Sequence, residues 1–202
     1  MKKESKRSRK ALLIVDVQND FCPGGALGVP RGDTVVPALN KYINVFRKKK
    51  LPIFATRDWH PPRTKHFRDF GGVWPVHCIQ NSRGAAFHQG LKLPKETIFL
   101  YKGMNPQEDS YSAFQAEDTR GLCLPKLLEM MKVGELYVGG LATDYCVKSS
   151  VLDALKNGYK VKLLMDAMQG VDLKAGDSEK AIKEMLRRGA KKTSLPNAKK
   201  KK

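Results

Sequence analysis

Cys146 lies in the stretch GGLATDYCVKSSVLDALKNGY (139–159), where a buried strand pattern gives way to an amphipathic helix. Val147, Val151 and Leu155 recur every four residues, which is a helical stripe, and Gly158 suits its C-terminal stop. That spacing predicts Cys146 in the first turn of a helix, where unpaired N–H groups and the helix dipole favour a thiolate. The residue itself admits two readings, a nucleophile or a small buried cysteine.

A thiol nucleophile needs a proton acceptor and a nearby cation. Asp16 ends the apolar run Leu12–Val15, so it emerges from a low-dielectric strand where burial raises a carboxyl pKa into a useful range. It could equally cap a neighbouring loop. Lys102, between Tyr101 and Gly103, suits the stabilising cation, although in isolation it reads as a surface lysine. A second group begins just past the second strand and runs into the Pro-, Gly- and His-rich connection that starts at Pro61: Asp58, His60, His66 and His77, with three of the chain's four histidines. Asp58 and His60 are two apart and face one side of an extended segment. Carboxylate plus imidazole suits Zn²⁺, Fe²⁺ or Mn²⁺. Cys78, next to His77, faces the other way if that segment is extended and is not taken as a ligand.

Short apolar runs alternate with helical patterns and position these residues. Strands are predicted at 11–17, 51–56, 97–101, 135–139 and 160–165, with a weaker sixth within 190–195. Helices are predicted at 35–46, 124–131, from Asp144 onward, and at 178–188. Such alternation predicts a three-layer α/β/α domain around a mostly parallel sheet of five or six strands. Ligands of such sheets bind beyond the carboxyl ends of the strands. Asp16, Asp58, Lys102 and Cys146 all fall at or just past those ends, so four strands should deliver them to one rim.

The 202 residues suffice for one domain with a sizeable core, and 41% hydrophobic content is ordinary for a globular protein. No apolar run approaches a membrane span, and Met1–Lys10 before ALLIV makes an unconvincing signal peptide. Cysteines 22, 78, 123 and 146 show no CxxC pairing, which reads as reduced thiols in a cytoplasmic setting.

The net charge of +18 looks like a nucleic-acid signal until it is located. Residues 1–10 carry six Lys/Arg and one Glu, and residues 191–202 carry six Lys and no acid. Most of the excess is therefore terminal. This predicts a basic tail over 1–10, a single domain over 11–195 and a lysine-rich tail over 196–202, the tails being solvated. Polyanion binding or nuclear import by the tails is the alternative. No aromatic-interleaved basic face supports a nucleic-acid module, and a homo-oligomer is left open.

The set DVQNDFCPGGAL (16–27), ATRDWH (55–60), WPVHCIQNSRGAAFH (74–88), YKG (101–103), YSAF (111–114) and GLATDYCV (140–147) closely resembles the nicotinamidase/pyrazinamidase branch of the isochorismatase-like cysteine hydrolases. The resemblance runs from about Ala11 to Arg188. It implies hydrolysis of nicotinamide to nicotinate and ammonia, a step in NAD salvage, with pyrazinamide as a further substrate. It implies a catalytic triad of Asp16, Lys102 and Cys146, and one divalent metal ion, Zn²⁺ before Fe²⁺ or Mn²⁺. The implied ligands are Asp58, His60 and His77, with His66 matching a fourth that only some members have. It further implies a cis Leu141–Ala142 peptide, with the N–H groups of Ala142 and Cys146 forming an oxyanion hole. Phe21, Trp74 and Tyr145 would line a slot for the pyridine ring, which Gln18 helps to shape. The nearest rival is another amidase of the superfamily acting on a carbamoyl or ureido compound. A non-catalytic polyanion-binding protein is the rival from a different class.

Overall fold

The computed structural model describes residues 8–195. Six parallel strands form one sheet in the order β3-β2-β1-β4-β5-β6. They are β1 (Arg9–Val15), β2 (Ile53–Asp58), β3 (Ile98–Lys102), β4 (Val133–Leu141), β5 (Lys160–Gln169) and β6 (Lys191–Thr193). Four α-helices connect them: α1 (Val35–Lys48), α2 (Leu124–Met130), α3 (Lys148–Lys156) and α4 (Asp177–Arg187).

Helices cover both faces of the sheet, and β1 shows why. Ala11, Leu13 and Val15 pack with Leu124, Leu128, Val151 and Met185, from α2, α3 and α4. Leu12 and Ile14 point the other way, into a cluster with Leu39, Ile43 and Phe46 of α1. The period-two alternation of a strand serves two cores at once, so the run reads as continuously apolar. Each fully buried Leu, Ile or Val of this kind stabilises the fold by about 1.5–3 kcal/mol.

The sheet winds outward from its middle. From β1 the chain runs to β2 and β3 on one side, then crosses back to β4, β5 and β6 on the other. The crevice between the carboxyl ends of β1 and β4 is therefore a topological switch point, the usual ligand position in such sheets. Asp16 follows β1 directly and Cys146 follows β4 by five residues.

Several boundaries differ from the sequence expectation. β1 starts at Arg9 and stops at Val15 because Asp16 turns into the left-handed region at φ 50°. Arg9 and Lys10 are thus paired strand residues rather than tail. Residues 1–7 and 196–202, on which the rest of the tail expectation falls, lie outside the described residues. β2 runs on to Asp58, and β4 and β5 are each longer than expected. The weak sixth strand exists, its polar residues Lys191 and Lys192 being exposed at an edge. Among the described residues no helix is long and apolar enough to cross a membrane.

Candidate active site

Lys102 is the hub. It ends β3, register-paired with Asp58 at the end of β2, and only 1% of it is exposed. Its Nζ donates to the Ser110 carbonyl at 3.1 Å and lies 2.9 Å from Asp16 Oδ2 and 3.5 Å from Cys146 Sγ, with the Asp58 carboxylate in direct contact. Burial works against its charge, but Asp16, Asp58 and Cys146 together hold the ammonium pKa well above its ordinary value. The surface-lysine alternative is therefore excluded. Asp16 is fully buried and accepts from Thr56 Oγ1 at 2.7 Å. Its carboxyl is raised above the usual range by desolvation, which outweighs the pull of Lys102.

Cys146 does not sit in the first turn of an α-helix. The chain passes through a cis peptide at Leu141–Ala142 and then a π-helical turn, Thr143–Val147, before α3 begins. Both Tyr145 and Val147 donate their N–H to the Ala142 carbonyl at 3.1 Å. Ser150 pins the turn from below, donating its hydroxyl to the Cys146 carbonyl at 2.7 Å while accepting from the Ala113 N–H at 2.8 Å. The helix-start argument for a thiolate does not carry over to this turn. Burial, reinforced by Asp16 and Asp58, pushes the Cys146 thiol well up, and Lys102 only partly opposes this. The sulfur thus sits beside a carboxylate placed to take its proton, with Lys102 between them.

The second group converges beside the first. The ring nitrogens of His60, His66 and His77 come within 4.8 Å of one another, and all three residues are buried. Asp58 Oδ2 lies 3.7 Å from His60 Nε2 and 3.9 Å from His77 Nε2. The Nδ1 atoms fix the tautomers. His60 Nδ1 donates to the Gly103 carbonyl at 3.0 Å, His77 Nδ1 donates to the Pro75 carbonyl at 2.7 Å, and His66 Nδ1 faces Asp109 Oδ1. A carbonyl only accepts, so Nδ1 of His60 and of His77 carries the proton and the Nε2 lone pair is free. His60 Nε2 is buried without a hydrogen-bond partner, which a native protein rarely tolerates unless something binds there. Bonds of about 2.0–2.2 Å let one ion span these separations. The donor set therefore fits a divalent cation. Desolvation keeps His77 neutral, its pKa lowered to about 4, and lowers that of His66 too. Burial alone would raise the Asp58 carboxyl, but Lys102, His60 and His77 hold it well below the usual carboxylate range.

A cleft opens beside both groups, lined by Phe21, Trp74, Tyr111, Tyr145 and Val171 together with Asp58, Ala142 and Cys146. The Tyr145 ring stands edge-on to Trp74, centroids 5.0 Å apart, and Phe21 lies 5.5 Å from the His77 ring. Phe21, Trp74 and Tyr145 therefore line one cleft.

Residues 10–196 match the isochorismatase domain family. The chain belongs to that family. It is 43% identical to the nicotinamidase of Escherichia coli (strain K12), over 90% of this chain and 92% of that protein. A crystal structure of the pyrazinamidase of Pyrococcus horikoshii in complex with zinc superposes with a TM-score of 0.86 at 44% identity, covering 93% of this chain and all of that one. A nicotinate complex from L. infantum superposes with a TM-score of 0.81 at 34% identity, covering 94% of each chain.

Within this isochorismatase-family site, Gln18 does not itself line the cleft. It is fully buried, and its side chain is spent on backbone. Nε2 donates to the carbonyls of Asp58 and Ala85, at 2.8 and 3.0 Å, while Oε1 accepts from the Asp58 N–H at 2.7 Å. Gln18 therefore sets the position of Asp58. Asp20 does the same for the next loop, accepting from the Cys78 N–H at 2.7 Å. Cys78 itself is fully buried and stands outside the imidazole cluster.

Sequence reasoning gave no role to Asp20, Asp109, Tyr111, Leu27, Val29 or Val171. The Tyr111 hydroxyl accepts from Trp74 Nε1 at 2.8 Å and so fixes the indole plane. Its place in the YSAF segment was the available signal. Asp109 sits in a polar loop with no periodic pattern, and nothing in its spacing points to His66.

Proposed function

We propose that this protein is a nicotinamidase, a cysteine amidohydrolase that converts nicotinamide to nicotinate and ammonia. The carrying observation is that Cys146, which lines an aromatic cleft, meets the fully buried Lys102 and Asp16, directly beside a buried Asp–His cluster fit for a cation. Relatives that cleave pyridine or pyrazine carboxamides support it. The cleft lining includes no Lys or Arg, which suits a neutral flat ring and disfavours carboxylate-bearing ureido compounds. Pyrazinamide keeps the same ring nitrogen and carboxamide, so it is a second substrate.

In the reaction, Asp16 accepts the Cys146 proton as Sγ attacks the carboxamide carbon. The N–H groups of Ala142 and Cys146 hold the oxygen that becomes negative. Lys102 offsets the charge that moves between thiolate and carboxylate. Asp16 then returns its proton to the nitrogen, the C–N bond breaks, and ammonia leaves a thioester on Cys146. Attack by water, with Asp16 again accepting a proton, releases nicotinate and restores the thiol. Asp58, His60, His77 and His66 would hold the cation. When bound, a divalent ion supplies a Lewis-acid contact that orients the ring nitrogen.

The test is ammonia release from nicotinamide, run beside Cys146→Ala and beside a ureido substrate. The proposal expects turnover of nicotinamide that vanishes in the variant. Activity on the ureido compound alone, or substantial turnover by Cys146→Ala, refutes it.

A further inference from the structure

Segment 103–112 passes over the cation site on leaving β3, and three consecutive residues in it touch three different parts of the centre. Asp109 Oδ1 meets His66 Nδ1, the Ser110 carbonyl accepts from Lys102 Nζ, and the Tyr111 hydroxyl accepts from Trp74 Nε1. The start of the segment is tied down as well. The Gly103 carbonyl holds His60 Nδ1, and the Pro106 carbonyl accepts from the Lys65 N–H at 2.9 Å.

Asp109 differs from the other acceptors in kind. His60 and His77 rest their Nδ1 atoms on backbone carbonyls that the fold fixes. The His66 ring, only 4% exposed, rests on a carboxylate that is 57% exposed. Stacking of His66 on His60, with centroids 4.6 Å apart, fixes the plane of the ring. It does not choose which ring nitrogen faces the cation site, since a half-turn keeps the stack. The Asp109 contact makes that choice. Placed on Nδ1, the carboxylate leaves the Nε2 lone pair inward and strengthens it as a donor.

We propose that Asp109 is the positioning residue that makes His66 a metal ligand. The protein thus presents three or four ligands to the cation according to a contact on segment 103–112. This rests on the same reading of the cation site as the proposed activity, and it is tested without substrate.

The full-length protein is stripped of metal and reloaded with Co²⁺ or Zn²⁺, and affinity is read by chelator competition. Asp109→Ala is expected to weaken binding roughly 10–100-fold and to give the same Co²⁺ absorption spectrum as His66→Ala. Asp109→Asn, which keeps an acceptor without the charge, should fall between. Adding Asp109→Ala to His66→Ala should cause no further loss, as two members of one unit require. Affinity for either metal within twofold of the unaltered protein overturns the proposal. So does an additive loss in the double variant, or a loss that merely tracks a lower melting temperature of the metal-free protein. If nicotinamide is not cleaved while these affinities follow the expected pattern, the assigned substrate fails and the role of Asp109 stands.

Discussion

Gly103 and His60 share one space. Gly103 adopts φ +71°, its carbonyl holds His60 Nδ1 at 3.0 Å, and a Cβ on it would lie 2.4 Å from His60 Cε1. The clash is with the buried imidazole itself, so it is relieved only by moving the ring off its Gly103 contact and away from the cation site. Gly103→Ala should therefore displace His60 and remove most of both metal binding and amidase activity. The left-handed backbone costs a further ~1–2 kcal/mol for a residue with a Cβ. A folded Gly103→Ala protein with unchanged metal stoichiometry would falsify this.

The raised carboxyl of Asp16 predicts where activity fails in acid. Burial favours its protonated form, and a protonated Asp16 cannot accept the Cys146 proton. The acid limb of kcat/KM should therefore lie above the ordinary Asp value of about 3.9, with activity present above that pKa and lost as pH falls through it. Burial keeps the Cys146 thiol protonated through neutrality, so thiol ionisation should not set this limb. Asp16→Asn should be inactive at every pH. A profile flat down to pH 4, or a limb at the thiol's own ionisation, counts against the assignment.

Much of this was legible in the sequence, and the residues show where legibility stops. The apolar run Ala11–Val15 and the stripe Val147, Val151, Leu155 are periodic signals of burial, and they located the sheet and α3. Strand ends follow from such runs, so Asp16, Asp58 and Lys102 could be brought to one rim before any coordinates. The state of Cys146 could not. A helix-start pattern implied a dipole acting on the sulfur, whereas the actual π turn buries it among two carboxylates and a lysine, and desolvation wins. Gln18 was given a part in shaping the ring slot, but the sequence did not say how it acts. Only the distances to Asp58 reveal a scaffold. Asp20 and Asp109 act on residues 58 and 43 positions away, and no local pattern encodes contacts of that range.

That scaffold gives a third prediction. Gln18→Leu keeps the volume but leaves the Asp58 N–H and the carbonyls of Asp58 and Ala85 without their buried partners. Each such orphaned group costs about 1–3 kcal/mol. Melting temperature should fall, and metal affinity should fall with it because the Asp58 backbone is no longer fixed. Cys146 alkylation by a small reagent should change far less. Loss of alkylation with intact metal binding would place Gln18 on the wrong side of the site.

Metal removal should also register as lost stability. With the ion absent, His60 Nε2 is a buried group lacking a hydrogen-bond partner, and Asp58 has Lys102 as its direct cationic contact. Binding to the folded form alone adds about 2.7 kcal/mol when free metal is one hundred times its Kd. For a chain of this size that raises Tm by roughly 2–4 °C per kcal/mol. Calorimetry of stripped and reloaded protein measures it. A Tm indifferent to added Zn²⁺, Fe²⁺ and Mn²⁺ would remove the cation from the site.

Thiol labelling separates Cys146, the proposed nucleophile, from the other cysteines. Cys123 is exposed, whereas Cys22, Cys78 and Cys146 are buried. Of the buried three, only Cys146 lines the aromatic cleft. Iodoacetamide should therefore modify Cys123 first with no loss of activity. In a Cys123→Ser background the next cysteine labelled should be Cys146, slowly at neutral pH because its thiol is protonated, and inactivation should follow its modification one for one. Nicotinate in the cleft should slow that phase and leave Cys123 labelling untouched. Cys22 lines a separate pocket and Cys78 is fully buried, so inactivation that tracked either of them would move the nucleophile off the switch-point crevice.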